Sequence, residues 1–298
     1  MTRLRRALAL AALLLSGAAH AGSPRLCEAT RTTDAAHQGR RLQLAAAVRD
    51  ELAAAGATLA IVARSGVDLA RFGLRYSHAG VSLRDSPHTP WSVRQLYYAC
   101  DEGRPRLFDQ GLAGFLLAAD DRAGAFVSLL LLPAPEAQAL QAAALDEGRA
   151  LQLLAARYSA NAYAFGTRYQ NCNQWLAELL AAAWGGPDAG ATRAQAQAWL
   201  REAGYAPHAF QGHPLLFALS TFVPLVHRDD HPEDDLLAGR FRVSLPDSIT
   251  TFVQQRVAGV RRVELCQDER HVVVRHDGPP LDDACEPGPG DRVIVFDR

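Results

Sequence analysis

The sequence predicts an α+β fold, an antiparallel sheet packed against helices with a smaller β-rich C-terminal part. Three observations predict it. Residues 58–99 hold three short alternating or β-branched runs separated by Gly, Asp, Pro and Ser clusters, the pattern of a meander. Residues 135–203 carry helical spacing in successive segments, and strand-like runs return after residue 240.

In chain order, residues 42–55 have apolar side chains at helical spacing and close on Gly56, so they form a helix with a glycine stop. Strands follow at 58–63 (TLAIVA), 76–84 (YSHAGVSLR) and 92–99 (SVRQLYYA). Residues 104–118 have mixed character. AFVSLLLL at 125–132 reads as a buried strand stopped by Pro133, and Pro135 suits the first turn of one long helix running to residue 158. Helices are expected at 171–183 and, capped by Thr192, to residue 203. Residues 207–237, rich in His, Pro and Asp, look irregular. Asp247 or Ser248 should cap a short helix ending near residue 257, among strands at 241–245, 261–265, 271–275 and 293–296. There is no internal repeat. The 298 residues fit one or two domains at ~100–200 residues each, with a main body over 22–226 and a β-rich extension over 227–298.

The 31 basic and 32 acidic residues nearly cancel, so no field over the whole surface draws nucleic acid. Every basic residue is Arg. Without Lys the chain has no Schiff-base chemistry and no Walker-type phosphate loop. At the start, Arg3, Arg5 and Arg6 precede an apolar run over residues 7–15, and an A-x-A site ends at Ala21, the three parts of a secretory signal. Residues 1–21 are therefore expected to be removed and the mature chain exported to the periplasm or secreted. The apolar run is shorter than the ~20 residues of a membrane helix, so no membrane span is expected.

Export changes how the five cysteines are read, because an oxidising compartment pairs thiols and five is odd. Cys266 and Cys285 flank HVVVRH and a Pro/Gly-rich turn, a natural hairpin staple. Cys27 with Cys100 is the second expected pair, leaving Cys172 as the free thiol.

In YQNCNQWLAELL, Asn171 is placed to cap a helix and Cys172 to occupy its first turn, where unpaired N–H groups and the dipole favour a thiolate. The competing reading is a small apolar residue packing at a buried helix start. His78 is the expected base, on a strand whose Tyr76, His78, Gly80 and Ser82 share one polar face; Gln95, on the next strand, is the expected orienting group for its ring. The Cys172 N–H with Tyr163 or Tyr169 would form the oxyanion hole. Tyr76, Asn171, Asn173 and Trp175 are candidate binding residues. Tyr163, Phe165, Tyr169 and Trp175 make either an aromatic wall for a glycan or peptide or an ordinary core cluster. HRDDHPEDD, residues 227–235, lacks a metal-ligand spacing and reads as a solvated loop, while His271 and His276 point to opposite faces of a strand. No metal and no cofactor are expected.

The order of SHAGVSL, the strand bearing Gln95, and NCNQW resembles the circularly permuted branch of the NlpC-type papain-like superfamily, the arrangement of the lecithin retinol acyltransferase relatives. That resemblance implies a papain-like sheet and a Cys-His-polar triad for amide or ester hydrolysis or acyl transfer. Over nearly the whole mature chain, CEAT, LRYSHAGVSLRD, WSVRQLYYAC, LFDQGL and TRYQNCNQW resemble an exported bacterial family, domain of unknown function 2145. The expectation is an exported cysteine-dependent hydrolase or acyltransferase acting on a cell-envelope peptide, glycan or acyl substrate. The alternative is a catalytically silent periplasmic binding or interaction module of the same fold.

Overall fold

In the computed structural model, which describes residues 35–117, 125–186, 192–212, 220 and 223–296, one eight-stranded sheet carries helices on both faces. The elements run α1 (Ala35–Ala54), β1 (Leu59–Arg64), β2 (His78–Leu83), β3 (Ser92–Ala99), β4 (Arg104–Gln110), α2 (Leu112–Leu117), β5 (Ala125–Leu131), α3 (Ala134–Leu145), α4 (Glu147–Gln152), α5 (Cys172–Trp184) and α6 (Arg193–Glu202). They continue with β6 (His208–Gln211), α7 (Glu233–Leu237), β7 (Arg240–Val243), α8 (Pro246–Arg256), β8 (Arg261–Gln267), β9 (His271–His276) and β10 (Arg292–Val295). The large sheet has the order β10-β9-β8-β5-β1-β2-β3-β4, and its ladders are antiparallel. The class is α+β.

Burial on both faces explains why TLAIVA and AFVSLLLL read as unbroken apolar runs. Leu59, Ile61, Ala63, Ala79, Val81, Leu83 and Leu96 face α5, α3 and α8, around Trp175, Leu176, Leu140 and Phe252. Ala60, Val62, Val93, Val127, Leu129, Val263 and Leu265 face the other way, onto α1 and α2 through Leu44, Val48, Leu52 and Phe115. Each fully buried Leu or Val contributes ~1.5–3 kcal/mol. Helix α5 is the axle of the first layer. Its residues from Asn173 to Ala182 are all buried, which is why its sequence shows little polar stripe.

Several expectations change. The long helix over 135–158 is two helices, because Asp146 takes an extended conformation (φ −70°, ψ 97°) and its side chain caps α4 by accepting from Arg149 N. Residues 104–118 resolve into β4 and α2, while β6 and α7 lie within the stretch expected to be irregular. Helix α8 begins at Pro246 with no side-chain cap, so Asp247 and Ser248 do not serve as expected. The C-terminal strands are continuous with the main sheet: β8 pairs with β5 along seven residue pairs, from Ala125↔Gln267 to Leu131↔Arg261. The expected boundary at residue 226 is therefore no break in the fold. Tyr76 precedes β2 and joins the α5-side core with Ala79 and Val81, so it does not share the face of His78.

Cys266 and Cys285 form a disulfide. Cys100 is disulfide-bonded as well, and Cys27, its expected partner, lies outside the described residues, as does the expected leader over residues 1–21. Among the described residues no helix is long and apolar enough to cross a membrane.

Candidate functional site

Asn171 holds the start of α5. Its side chain accepts from Gln174 N (2.7 Å) and donates to Ser244 O (3.1 Å), leaving Cys172 in the first turn as a free thiol, partly exposed at the residue level. The neighbouring Asn173 docks this helix start onto the histidine strand. Ala79 N–H donates to its Oδ1 (3.0 Å) and its Nδ2 donates to Ser77 O (3.1 Å), so one side chain grips the backbone on either side of His78. It can do so because the β2–β3 ladder covers only residues 81–83 paired with 92–94.

His78 lies on the α1/α2 side of the sheet, with its ring 5.8 Å from Phe115 and 5.5 Å from Tyr97. Its Nε2 is hydrogen-bonded to Gln95 Oε1, and Gln95 Nε2 donates to Gln110 Oε1 (2.8 Å), a relay across β2, β3 and β4. With the Gln95 amide donating to Gln110, its oxygen faces the imidazole and accepts an Nε2 proton. That tautomer leaves Nδ1 as the basic nitrogen. Gly80 permits the relay: a Cβ there would sit 2.8 Å from Arg94 O and 3.2 Å from Gln95 Cβ. The face expected to be open to a site or to solvent is instead enclosed, with His78 6% exposed and Ser82 fully buried.

Two residues not singled out from sequence complete the group. Tyr158 acts on Cys172, helping to pull its thiol down, and its ring packs 5.2 Å from Tyr98. Arg64 pairs with His78 across the β1–β2 ladder, is 3% exposed, and donates to Ser65 O (3.1 Å), with Tyr97 acting on its charge. Its charge acts on both Cys172 and His78.

Electrostatics run against a preformed thiolate. Burial pushes the Cys172 thiol up to about 11, although Arg64, the N–H groups of Asn173 and Cys172, and Tyr158 all pull it down. The field expected of a helix start is present, but desolvation outweighs it. Burial, then the positive charge of Arg64, pushes His78 down to about 3 against the Gln95 hydrogen bond. At neutral pH Cys172 is therefore a thiol and His78 a neutral imidazole; the structure ties their backbones together through Asn173 but shows no hydrogen bond between the two side chains, and the His78 ring lies on the face of the sheet opposite α5.

The other expected residues have other partners. The Tyr163 N–H donates to Asp230 Oδ2 (2.8 Å), and the Tyr163 ring lies 5.6 Å from His231. Tyr169 stacks on His227 (4.4 Å between centroids), and its hydroxyl donates to Asp229 Oδ2 (3.3 Å). The tyrosine that acts on the sulfur is thus Tyr158, because residues 163–169 turn toward the 227–243 segment. The Tyr76 hydroxyl bonds buried Glu264, and Trp175 is fully buried with Nε1 donating to Ala150 O (3.1 Å). HRDDHPEDD is not a solvated loop: His231 contacts Asn161 O (2.8 Å), and buried Asp235 holds Arg240 and Arg242. Among the described residues no group of three His, Cys, Asp or Glu side chains is arranged for a metal.

The segment before Cys172 is fixed from below. Glu178, fully buried on α5, accepts from Arg193 Nε (2.9 Å) and Nη2 (3.0 Å), Gln170 Nε2 (2.6 Å) and Gln197 Nε2 (2.8 Å). Burial raises its carboxyl above the ordinary value despite those donors. Gln170 bridges in turn to Tyr158 through the backbone, so this network fixes the chain at Tyr158.

No curated protein and no solved structure matches the chain. Residues 51–253, which hold Cys172, His78, Gln95, Arg64 and Tyr158, match one family, and the chain belongs to it: the family described as uncharacterized protein conserved in bacteria (DUF2145).

Proposed function

We propose that the protein is an exported cysteine-dependent hydrolase or acyltransferase acting on an amide or ester bond of the cell envelope. The observation that carries this reading is the grip of Asn173 on Ser77 O and Ala79 N, which ties the helix start bearing the free thiol to the backbone flanking His78. The resemblance to the permuted papain-like superfamily supports the same assignment, and the Cys266–Cys285 disulfide supports an oxidising compartment.

In this reading His78 Nδ1 takes the thiol proton as the sulfur attacks the acyl carbon. Gln95, backed by Gln110, holds the ring and its tautomer. The imidazolium then returns the proton to the leaving amine or alcohol, and water or an acceptor releases the acyl group from sulfur. The first-turn N–H groups of Cys172 and Asn173 face the developing oxyanion, with the Tyr158 hydroxyl beside them.

A second reading is a silent binding module, favoured by the burial that keeps both Cys172 and His78 neutral. An electrophilic ester probe separates the two. Acylation of native protein at Cys172, lost in Cys172→Ala and slowed ~10²-fold or more in His78→Ala, supports the enzyme. No acylation of the folded protein, or equal rates with and without His78, leaves the binding module.

A further inference from the structure

Arg64 is a buried guanidinium whose charge nothing described neutralises. Two other buried arginines face carboxylates: Arg94 binds Asp109 (2.5 Å) and Arg193 binds Glu178 (2.9 Å), while buried Arg41 donates to the amide oxygen of Gln267 (3.1 Å). Among the described residues no carboxylate pairs with Arg64. Its Nη1 donates to a backbone carbonyl, and its Nε is buried with no partner. The side chain lies beneath the Phe115 ring (5.2 Å) and directly across the ladder from His78. Its Nη1 lies against the turn at Gly66, where a Cβ would sit 2.8 Å from it and from Ser77 Oγ, so the absence of a side chain there makes room for the guanidinium. A charge removed from water without a partner is costly, and an unpartnered Nε–H beside a reactive side chain is half of the fork that binds a planar carboxylate.

We propose that Arg64 is the anion-recognition residue of this site and that the substrate is an acyl compound bearing a carboxylate close to the bond attacked. The proposal rests on the preceding reading only in taking Cys172 as the reacting atom. It narrows the substrate class to acidic peptides or acyl groups. The bound carboxylate supplies the missing counterion, and in offsetting the charge that holds the His78 proton affinity down it readies the imidazole to accept the thiol proton.

The test uses two alkylating reagents of nearly equal size, iodoacetate and iodoacetamide, which differ in carrying a carboxylate or an amide. In each case the sulfur displaces iodide and the thiol loses its proton, so any effect of Arg64 on thiol ionisation alters both rates equally and cancels in their ratio. The iodoacetate to iodoacetamide rate ratio at Cys172, read by peptide mapping, should exceed that of a free thiol in solution. It should fall ~10-fold or more in Arg64→Gln, the scale of one charge-assisted hydrogen bond. A ratio equal to the free thiol's, or one unchanged in Arg64→Gln while both rates drop, overturns the proposal and leaves Arg64 a counterion of the thiolate. Should Arg64→Gln not fold, the native protein decides: acetate but not acetamide should slow iodoacetamide labelling, and equal effects overturn the proposal. An ester probe that fails to acylate Cys172 while the ratio holds removes the catalytic reading alone.

Discussion

Asn173→Ala probes the junction between the cysteine helix and the histidine strand. Asn173 is 1% exposed, and its side chain satisfies one peptide N–H, of Ala79, and one carbonyl, of Ser77, that the short β2–β3 ladder leaves open. Truncation strands both groups. At ~1–3 kcal/mol for each buried polar group left unsatisfied, and allowing partial relief by water, the expected loss is about 2–4 kcal/mol of unfolding free energy. Urea denaturation with disulfides intact reads it from the shift in midpoint at constant slope. Asn173→Asp separates the two bonds: it keeps the acceptor for Ala79 N–H and replaces the donor to Ser77 O with a second oxygen. Thiol reactivity supplies a second readout, since freeing the start of α5 exposes the Cys172 sulfur and should speed its alkylation in the folded state. A loss below ~0.5 kcal/mol, typical of an uninvolved surface position, with unchanged reactivity would refute the idea that this side chain docks the helix on the strand.

Further outcomes follow from the same geometry. Alkylation of Cys172 by iodoacetamide should rise about tenfold per pH unit from neutrality and level off only near about 11, because the thiolate alone reacts and burial outweighs the helix start; a plateau near an ordinary thiol value would refute the desolvation argument. Gly80→Ala should cost ~1–3 kcal/mol, since its Cβ would press on Arg94 O at 2.8 Å, and should slow any acylation by displacing Gln95 from His78; calorimetry and probe labelling check both. Arg193→Met should cost ~3–5 kcal/mol by leaving Glu178 buried and unpaired, whereas the double variant Arg193→Met with Glu178→Leu should recover part of it, as measured by a denaturation cycle.

Sequence alone was enough wherever a signal is local. The strand over 92–99, the helix from Cys172 with its Asn171 cap, and the Cys266–Cys285 pairing depend on alternation, a capping side chain and short loop closure, and all are present as read. The free thiol followed from counting cysteines. What the tertiary structure decided is everything set by neighbours distant along the chain. The helix over 135–158 breaks at Asp146 because a capping bond there competes with continuing the helix, a choice that helical periodicity does not register. Tyr158 and Arg64 carry no motif; they act on the thiol only because Gln170 anchors one loop on Glu178 and the β1–β2 register sets Arg64 against His78. The same neighbours reverse the expected ionisation. A helix N-terminus is legible in NCNQW and its field does act on Cys172, but the depth at which α5 packs against the sheet is not written in those five residues. Desolvation by that packing is the larger force.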